Sequence, residues 1–440
     1  MYILGNGRII TQDKENPYIE NGAIAVDNDV IIEIGSTENI KNKYGDAEFI
    51  DAKKNIIMPG LINTHMHIYS SFGRGMQVTG STKNFPEILE NLWWKLDKKL
   101  KIEDTKYSAY ATYIESIKNG VTTVIDHHAS PYHIEGSLKT IANVAEELGI
   151  RTSICYEVSD RDGVEIANVG IKENVDFIKY ATSLNNDMIK GMFGLHASFT
   201  LSDETLKKCE KEMSVLDAGY HVHVAEGISD LENSLENYNE RVVERLNHYG
   251  IFKEKTIAVH CIHIDDNELE IIKKSKCNVV HNPESNMGNA VGYSPAIRMI
   301  AKGIDVGLGT DGYTADMLES LKVANILHKH EMADPTVAWM ESPFMLFENN
   351  RKIAKKQFGC ETGILKTGAK ADIVIMEYIP HTELNGTNFN SHILFGMSGK
   401  CAVTVMCNGK IIMKDRKIIG VNEEKVLEEC REISKKLWDR

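Results

Sequence analysis

His65-Met66-His67 closes an apolar run, Ile56 to Thr64, and alternation along an extended chain puts both imidazoles on one side, where their nitrogens can converge on a cation. A His-x-His pair alone says little, because two surface or core histidines take that spacing as readily. Other apolar runs, however, end in the same kind of residue: Asp126 with His127 and His128, Glu157, His196, His223 with Glu226, His260, His281 and Asp311. The 16 histidines of this chain, placed by chance, would rarely gather at one end of so many strands. Taken with His223 and Asp311, the pair at 65 and 67 makes a His₃Asp set. Such a set suits one divalent cation, zinc or alternatively iron, and leaves room for water, whose pKa a bound cation lowers towards about 7.

Glu226, three residues after His223, turns off the same strand end and is expected to shuttle protons between water and a substrate ring nitrogen. His260 is placed to orient the water or polarise the reacting carbon, and Asp311 to accept a proton from water and deliver it to the leaving nitrogen. Candidate substrate contacts are His196, Arg74 as an anchor for a carbonyl or carboxylate, and Trp93, which could stack on a planar ring. Alternation sends only one of His127 and His128 inward, and His128 stands as the candidate contact. Adjacent tryptophans on a helix point in different directions, so only one of Trp93 and Trp94 is expected to reach a ring. Each of these residues also has a plain structural reading, as a solvated arginine, a core tryptophan or a hydrogen-bonded core histidine.

Positioning such residues needs strands that end together. From Ile56 the sequence alternates short apolar runs with helical stretches, the pattern of β/α units. The runs are Ile56 to Thr64, Thr122 to Asp126, Arg151 to Tyr156, Gly191 to Leu195, Tyr220 to Val224, Thr256 to Val259, Asn278 to Val280 and Ile304 to Gly309, with helices such as 104–119, 138–148, 231–248 and 295–302 between them. Eight units fit a closed (β/α)₈ TIM barrel of the α/β class, whose active site lies at the C-terminal strand ends. The first 55 residues read as short strands with Gly and Asn turns, and strands return near residues 372–412 before a final helix, 423–437. Neither end buries enough apolar surface alone, so the two are expected to form one small β-sandwich. The predicted domains are 1–55 and 361–440 for that sheet and 56–360 for the barrel.

A hydrophobic fraction of 42% and a charged fraction of 26% place the chain among ordinary folded proteins. The net charge of −13 opposes binding to nucleic acid or to an anionic membrane. The start lacks a signal-peptide pattern and no long apolar run follows, so the expected location is the cytoplasm. Eight scattered cysteines without a CxxC pair give neither a disulfide framework nor a thiolate zinc site.

These residues resemble the amidohydrolase superfamily, in its branch of cytosine, guanine and triazine deaminases and chlorohydrolases. The resemblance covers the whole chain and rests on residues 58–67 (MPGLINTHMH), 194–202 (GLHASFTLS), 221–226 (HVHVAE), 259–263 (VHCIH), 280–286 (VHNPESN) and 308–312 (LGTDG). It implies one zinc or iron held by His65, His67, His223 and Asp311, proton transfer by Glu226 and His260, a small sandwich from both termini, and a homodimer. Residues 85–97 (FPEILENLWWKLD) and 125–131 (IDHHASP) are similar to the SsnA group of aminohydrolases, linked to purine metabolism. The implied activity is hydrolytic deamination of an amino-substituted purine- or pyrimidine-like ring, with a chlorohydrolase or another non-peptide C–N hydrolase as the alternative. Adenosine-type members carry small residues with Ser or Asn after the metal Asp. Here residues 312–316 read GYTAD, which argues against adenosine or S-adenosylhomocysteine. A barrel reduced to a binding scaffold would have lost one of the six central residues, and none is lost.

Overall fold

The computed structural model describes residues 1–440. Eight strands carry the site: β1 (Leu61–Met66), β2 (Val121–His128), β3 (Arg151–Tyr156), β4 (Phe193–Ala197), β5 (Tyr220–Val224), β6 (Ile257–His260), β7 (Asn278–His281) and β8 (Val306–Leu308). All are buried on both faces, which is why they read as continuous apolar runs. β1 to β3 pair in parallel, and so do β4 to β8. The two sets meet at both edges. Beyond β3, Val158 bridges Leu195 of β4, and beyond β8, Asp311 bridges Met66 of β1. These links supply the strand order that a (β/α)₈ barrel requires.

The intervening helices bury one stripe each. In Ser137–Leu148 the buried stripe includes Leu138, Ile141, Ala142, Ala145 and Leu148, the i, i+3, i+4, i+7 spacing of an amphipathic helix. Gly149 then ends the helix in the left-handed region at φ 72°, where a side chain would be strained. The predicted helix 231–248 is two helices, Ile228–Tyr238 and Val242–His248, because Asn239 turns left-handed at φ 54° and stops the first.

Both ends of the chain share one nine-stranded sheet. It takes Tyr2–Ile10, Tyr18–Asp27, Val30–Ser36, Glu48–Asp51 and Ile56–Pro59 from the N-terminal side, and Ile373–Met376, Ala402–Cys407, Lys410–Lys414 and Lys417–Ile418 from the other. One boundary differs from expectation. The run 56–64 is two strands in two sheets, divided at Gly60, so the parallel strands that carry the site begin at Leu61. Consecutive amides go separate ways, Gly60 N to the Asp372 carbonyl and Leu61 N to that of Gly120, each at 2.9 Å. A Cβ on Gly60 would lie 2.3 Å from the Thr122 side chain, so this close crossing needs glycine.

Arg151 of β3, fully buried, pairs with Asp372, which also accepts from Thr362 Oγ1 and, at 2.7 Å, from Asn408 N. The pair ties the nine-stranded sheet to β3. Asp372→Ala leaves a buried guanidinium without its counter-charge and is expected to cost about 3–5 kcal/mol. Chemical denaturation of the variant checks this, and an unchanged midpoint would contradict it. The C-terminal helix, Glu423–Trp438, lies against helix Ile102–Lys118 and reaches the loop after β1 through Trp438 Nε1, which donates to the Phe72 carbonyl at 2.7 Å. That loop forms part of the pocket described next.

Candidate active site

Three non-glycine strand ends adopt left-handed backbone: Ala225 after β5 (φ 46°), His260 ending β6 (φ 70°) and Asp311 after β8 (φ 54°). Each such residue costs about 1–3 kcal/mol and persists only where surrounding contacts hold it. For Asp311 they do so directly: its own amide and that of Thr310 both donate to the His65 carbonyl, at 3.1 and 3.0 Å. The strain turns the Asp311 carboxylate towards β1.

Around it the imidazoles converge. Asp311 Oδ1 lies 3.3 Å from His67 Nε2 and 3.9 Å from His65 Nε2, and His223 Nε2 lies 3.2 Å from His67 Nε2. His260 Nε2 stands 3.5 Å from Asp311 Oδ2 and 3.4 Å from Glu226 Oε2. The opposite ring nitrogens are all committed. His67 Nδ1 donates to the His127 carbonyl at 2.7 Å and His223 Nδ1 to the His196 carbonyl at 2.8 Å, while His65 Nδ1 faces His221 Nε2 at 2.8 Å and His260 Nδ1 faces Asn286 Oδ1 at 2.7 Å. A nitrogen that gives its hydrogen to a carbonyl leaves the other as a bare lone pair, so the inward Nε2 atoms of His67, His223 and His260 are acceptors. Burial first, and neighbouring imidazoles second, hold the pKa values of His65 and His223 well below the ordinary histidine range, which keeps both rings neutral.

Two of these inward nitrogens, on His65 and His260, are buried without any hydrogen-bond partner. Atoms of His65, His67 and His223 lie within 4.8 Å of one another, as do those of His65, His260 and Asp311. Converging lone pairs with a carboxylate and no donor fit a divalent cation bound by nitrogen and oxygen. Glu226 is a different kind of group. Burial, and then the Asp311 carboxylate, push its carboxyl well above the usual range, which favours its protonated form.

The convergence opens on a cavity at the C-terminal ends of the strands. His67, His223, Glu226 and Asp311 line it with Glu157, His196, Tyr69, Phe85, Trp93, Trp94 and Asn289. Both tryptophans reach it, against the expectation of one. The chain winds a wide π-type turn over Leu89–Trp93 before helix Trp94–Lys99, which changes the angle between successive side chains. The other candidate contacts divide. His196 lines the cavity, with Nδ1 tied to Thr200 Oγ1 at 2.7 Å. His128 does not: its Nε2 bonds Ser130 Oγ at 3.0 Å, and His127 takes the inward place, its ring 4.7 Å from that of His223. Arg74 does not either. It pairs with Glu115 at 3.1 and 3.2 Å on an adjoining outer cavity, an ion pair with a residue 41 positions along the chain.

Sequence reasoning gave no role to His221 and did not find Asn289. His221 sits two residues from His223 on the same strand face, and the i, i+2 spacing cannot say which of them binds and which supports. The structure places His221 behind His65, with Cys155 Sγ at 3.6 Å on its far side. His221→Ala is expected to weaken metal binding about 10–100-fold while leaving the fold intact. Competition against a chelator measures it, and unchanged affinity would remove His221 from the support of His65.

A mixed α/β fold with convergent histidines and an acid beside them, at the C-terminal ends of parallel strands, defines a hydrolase of the metal-dependent kind. The model of the amidohydrolase family matches residues 56–412, and the chain belongs to that family. It is an amidohydrolase-superfamily deaminase, a hydrolase of carbon–nitrogen bonds. A 5'-deoxyadenosine deaminase of Methanosarcina acetivorans is 31% identical over 100% of this chain and 98% of its own length. A 5-methylthioadenosine/S-adenosylhomocysteine deaminase of Thermococcus sibiricus is also 31% identical, over 93% of each chain. The crystal structure of an adenosine deaminase from Xanthomonas campestris with bound zinc shares the fold, with a TM-score of 0.86 at 20% identity over 100% of this chain and 99% of that one. No helix is long and apolar enough to cross a membrane.

Proposed function

We propose that this protein replaces the ring amino group of an adenosine-type nucleoside with oxygen, releasing ammonia, with one divalent cation, zinc or alternatively iron, held by His65, His67, His223 and Asp311. The observation that carries the reading is the position of Glu226. Its carboxyl, pushed above the usual range by burial and then by Asp311, lies 3.4 Å from His260, which itself lies 3.5 Å from Asp311, on the wall of the pocket. A cation bound by this set supplies the Lewis-acid charge that makes water nucleophilic at neutral pH.

The chain's own residues do the rest. Glu226 protonates the ring nitrogen beside the reacting carbon, which draws electrons from that carbon and opens it to water. Asp311 accepts a proton from the attacking water while His260 Nε2, facing both carboxylates, orients it. Asp311 passes its proton to the amino nitrogen, the proton left on the added oxygen returns to Glu226, and ammonia leaves while the carbon keeps the oxygen and the ring nitrogen keeps its hydrogen. Trp93, Trp94 and Phe85 give a planar ring its apolar walls and exclude bulk water.

The nucleoside is a finer choice than the pocket alone makes. It rests on relatives about 31% identical over nearly the whole chain, whose names specify deoxy- and thio-substituted adenosines. They outweigh the sequence argument from residues 312–316, since only Gly312 of that stretch lines the cavity. We further read the fold as a closed barrel carrying a small β-sandwich, and the enzyme as a cytoplasmic homodimer. For the dimer, the exposed Trp339 and Phe395, in ring contact at 5.8 Å, offer an apolar face.

The test is an ammonia-release screen over adenosine, 5'-deoxyadenosine, methylthioadenosine, S-adenosylhomocysteine, aminopyrimidines, pterins and chlorinated or aminated triazines. Ammonia from the 6-aminopurine nucleosides is the expected result. Ammonia only from rings without a sugar would overturn the substrate, and halide without ammonia would establish the chlorohydrolase alternative.

A further inference from the structure

Glu157, just beyond β3, has a carboxylate that the reaction above does not use. It lines the pocket from the side of β2 to β4, whereas Glu226 and His260 belong to β5 and β6. Its two oxygens face two imidazoles, Oε2 at 3.2 Å from His127 Nδ1 and Oε1 at 3.7 Å from His196 Nε2. Both rings have already committed their hydrogens elsewhere. His127 Nε2 donates to the His221 carbonyl at 3.0 Å. His196 Nδ1 donates to Thr200 Oγ1 at 2.7 Å, and the Thr200 hydrogen goes on to the Ala197 carbonyl at 3.1 Å. Arg161 pairs with Asp97 and, at 3.3 Å, with Asp162; its Nη1 has no hydrogen-bond partner, but no nitrogen of it comes within 4.0 Å of Glu157.

Three acceptors therefore converge without a donor among them, and His127 Nδ1 is buried with no hydrogen-bond partner. One added proton would satisfy one carboxylate–imidazole contact and leave the other unmet. A second cation fits poorly. The groups of ligand atoms that include Glu157 are His67 with His127 and His196 with His223, so each borrows a histidine from the first centre. What the wall lacks is hydrogen-bond donors on the molecule that fills the pocket.

We propose that Glu157, with His127 and His196 beside it, determines specificity by accepting hydrogen bonds from O–H or N–H donors of the substrate on the β3–β4 side of the pocket. The donors are the ribose hydroxyls if the substrate is a nucleoside, and ring N–H groups if it is a free base. The inference rests on the proposed function only for the choice of probes. A carboxylate that has given up water for this pocket gains from such a donor and is left unpaired without it.

The experiment uses two matched pairs, adenosine against 2',3'-dideoxyadenosine and adenine against 9-methyladenine, on the wild-type metalloenzyme and on Glu157→Gln. Wild type is expected to favour the donor-bearing member of one pair by about 10–100-fold in kcat/KM. Glu157→Gln is expected to reduce that ratio to a few-fold, mainly through KM, with metal content unchanged. The pair that responds identifies the source of the donors. A ratio preserved in the variant would overturn the proposal, as would loss of metal from it, which would make Glu157 a ligand. Should neither pair yield ammonia, the proposed function fails. Calorimetric binding of the same pairs then decides this inference separately, and equal affinity of wild type for both members of each pair overturns it.

Discussion

Glu226→Gln keeps its metal and loses turnover by about 10²–10⁴-fold, the range that general acid–base groups contribute. The amide matches the carboxyl in shape, so the pocket and the facing His260 should stay in place. What it cannot do is release and recover a proton. The native carboxyl is suited to that because burial, with Asp311 nearby, raises its pKa above the ordinary carboxylate value and so favours the proton-bearing form that activates the ring. Metal analysis and steady-state ammonia release on one preparation check both halves of the prediction. A variant turning over near the wild-type rate would take the proton shuttle away from Glu226.

His65→Ala is expected to lose metal and activity together, and by more than the about 10–100-fold that removal of a supporting residue costs. His65 is fully buried, its Nδ1 is held by His221, and its Nε2 has no partner. A buried nitrogen oriented so firmly towards nothing is explained by a ligand, and deleting it removes one bond from the set. Elemental analysis of the purified variant reads the result. Full occupancy with unchanged turnover would exclude His65 from the ligands. Set beside His221→Ala, the pair separates the two histidines that face each other at 2.8 Å: one should abolish binding, the other weaken it.

Much of this site was legible because strand periodicity is short and strict. His65 and His67 had to share a side, and the strand ends carrying His223, Glu226, His260 and Asp311 had to meet wherever eight parallel strands close. The missing parts depend on contacts between distant segments. Arg74 looked like an anchor until Glu115, on a helix far along the chain, claimed it. His128 lost the inward place to His127, because alternation fixes that one of the two points in but leaves open which. Trp94 joined Trp93 in the pocket through a local π-type turn that no residue pattern announced. Gly60 divided an apolar run into two sheets, since hydrophobicity marks a buried strand without saying which neighbour it pairs with.

The most direct test of the central claim is a metal titration of stripped enzyme. The protein is freed of metal with a chelator, titrated with zinc or iron(II), and assayed for ammonia release from adenosine and 5'-deoxyadenosine. The account predicts no activity in the stripped protein and a linear rise that levels off at about one ion per chain, as expected for a single His₃Asp centre. Full activity after stripping would contradict it, as would stoichiometric metal binding with no ammonia from either nucleoside.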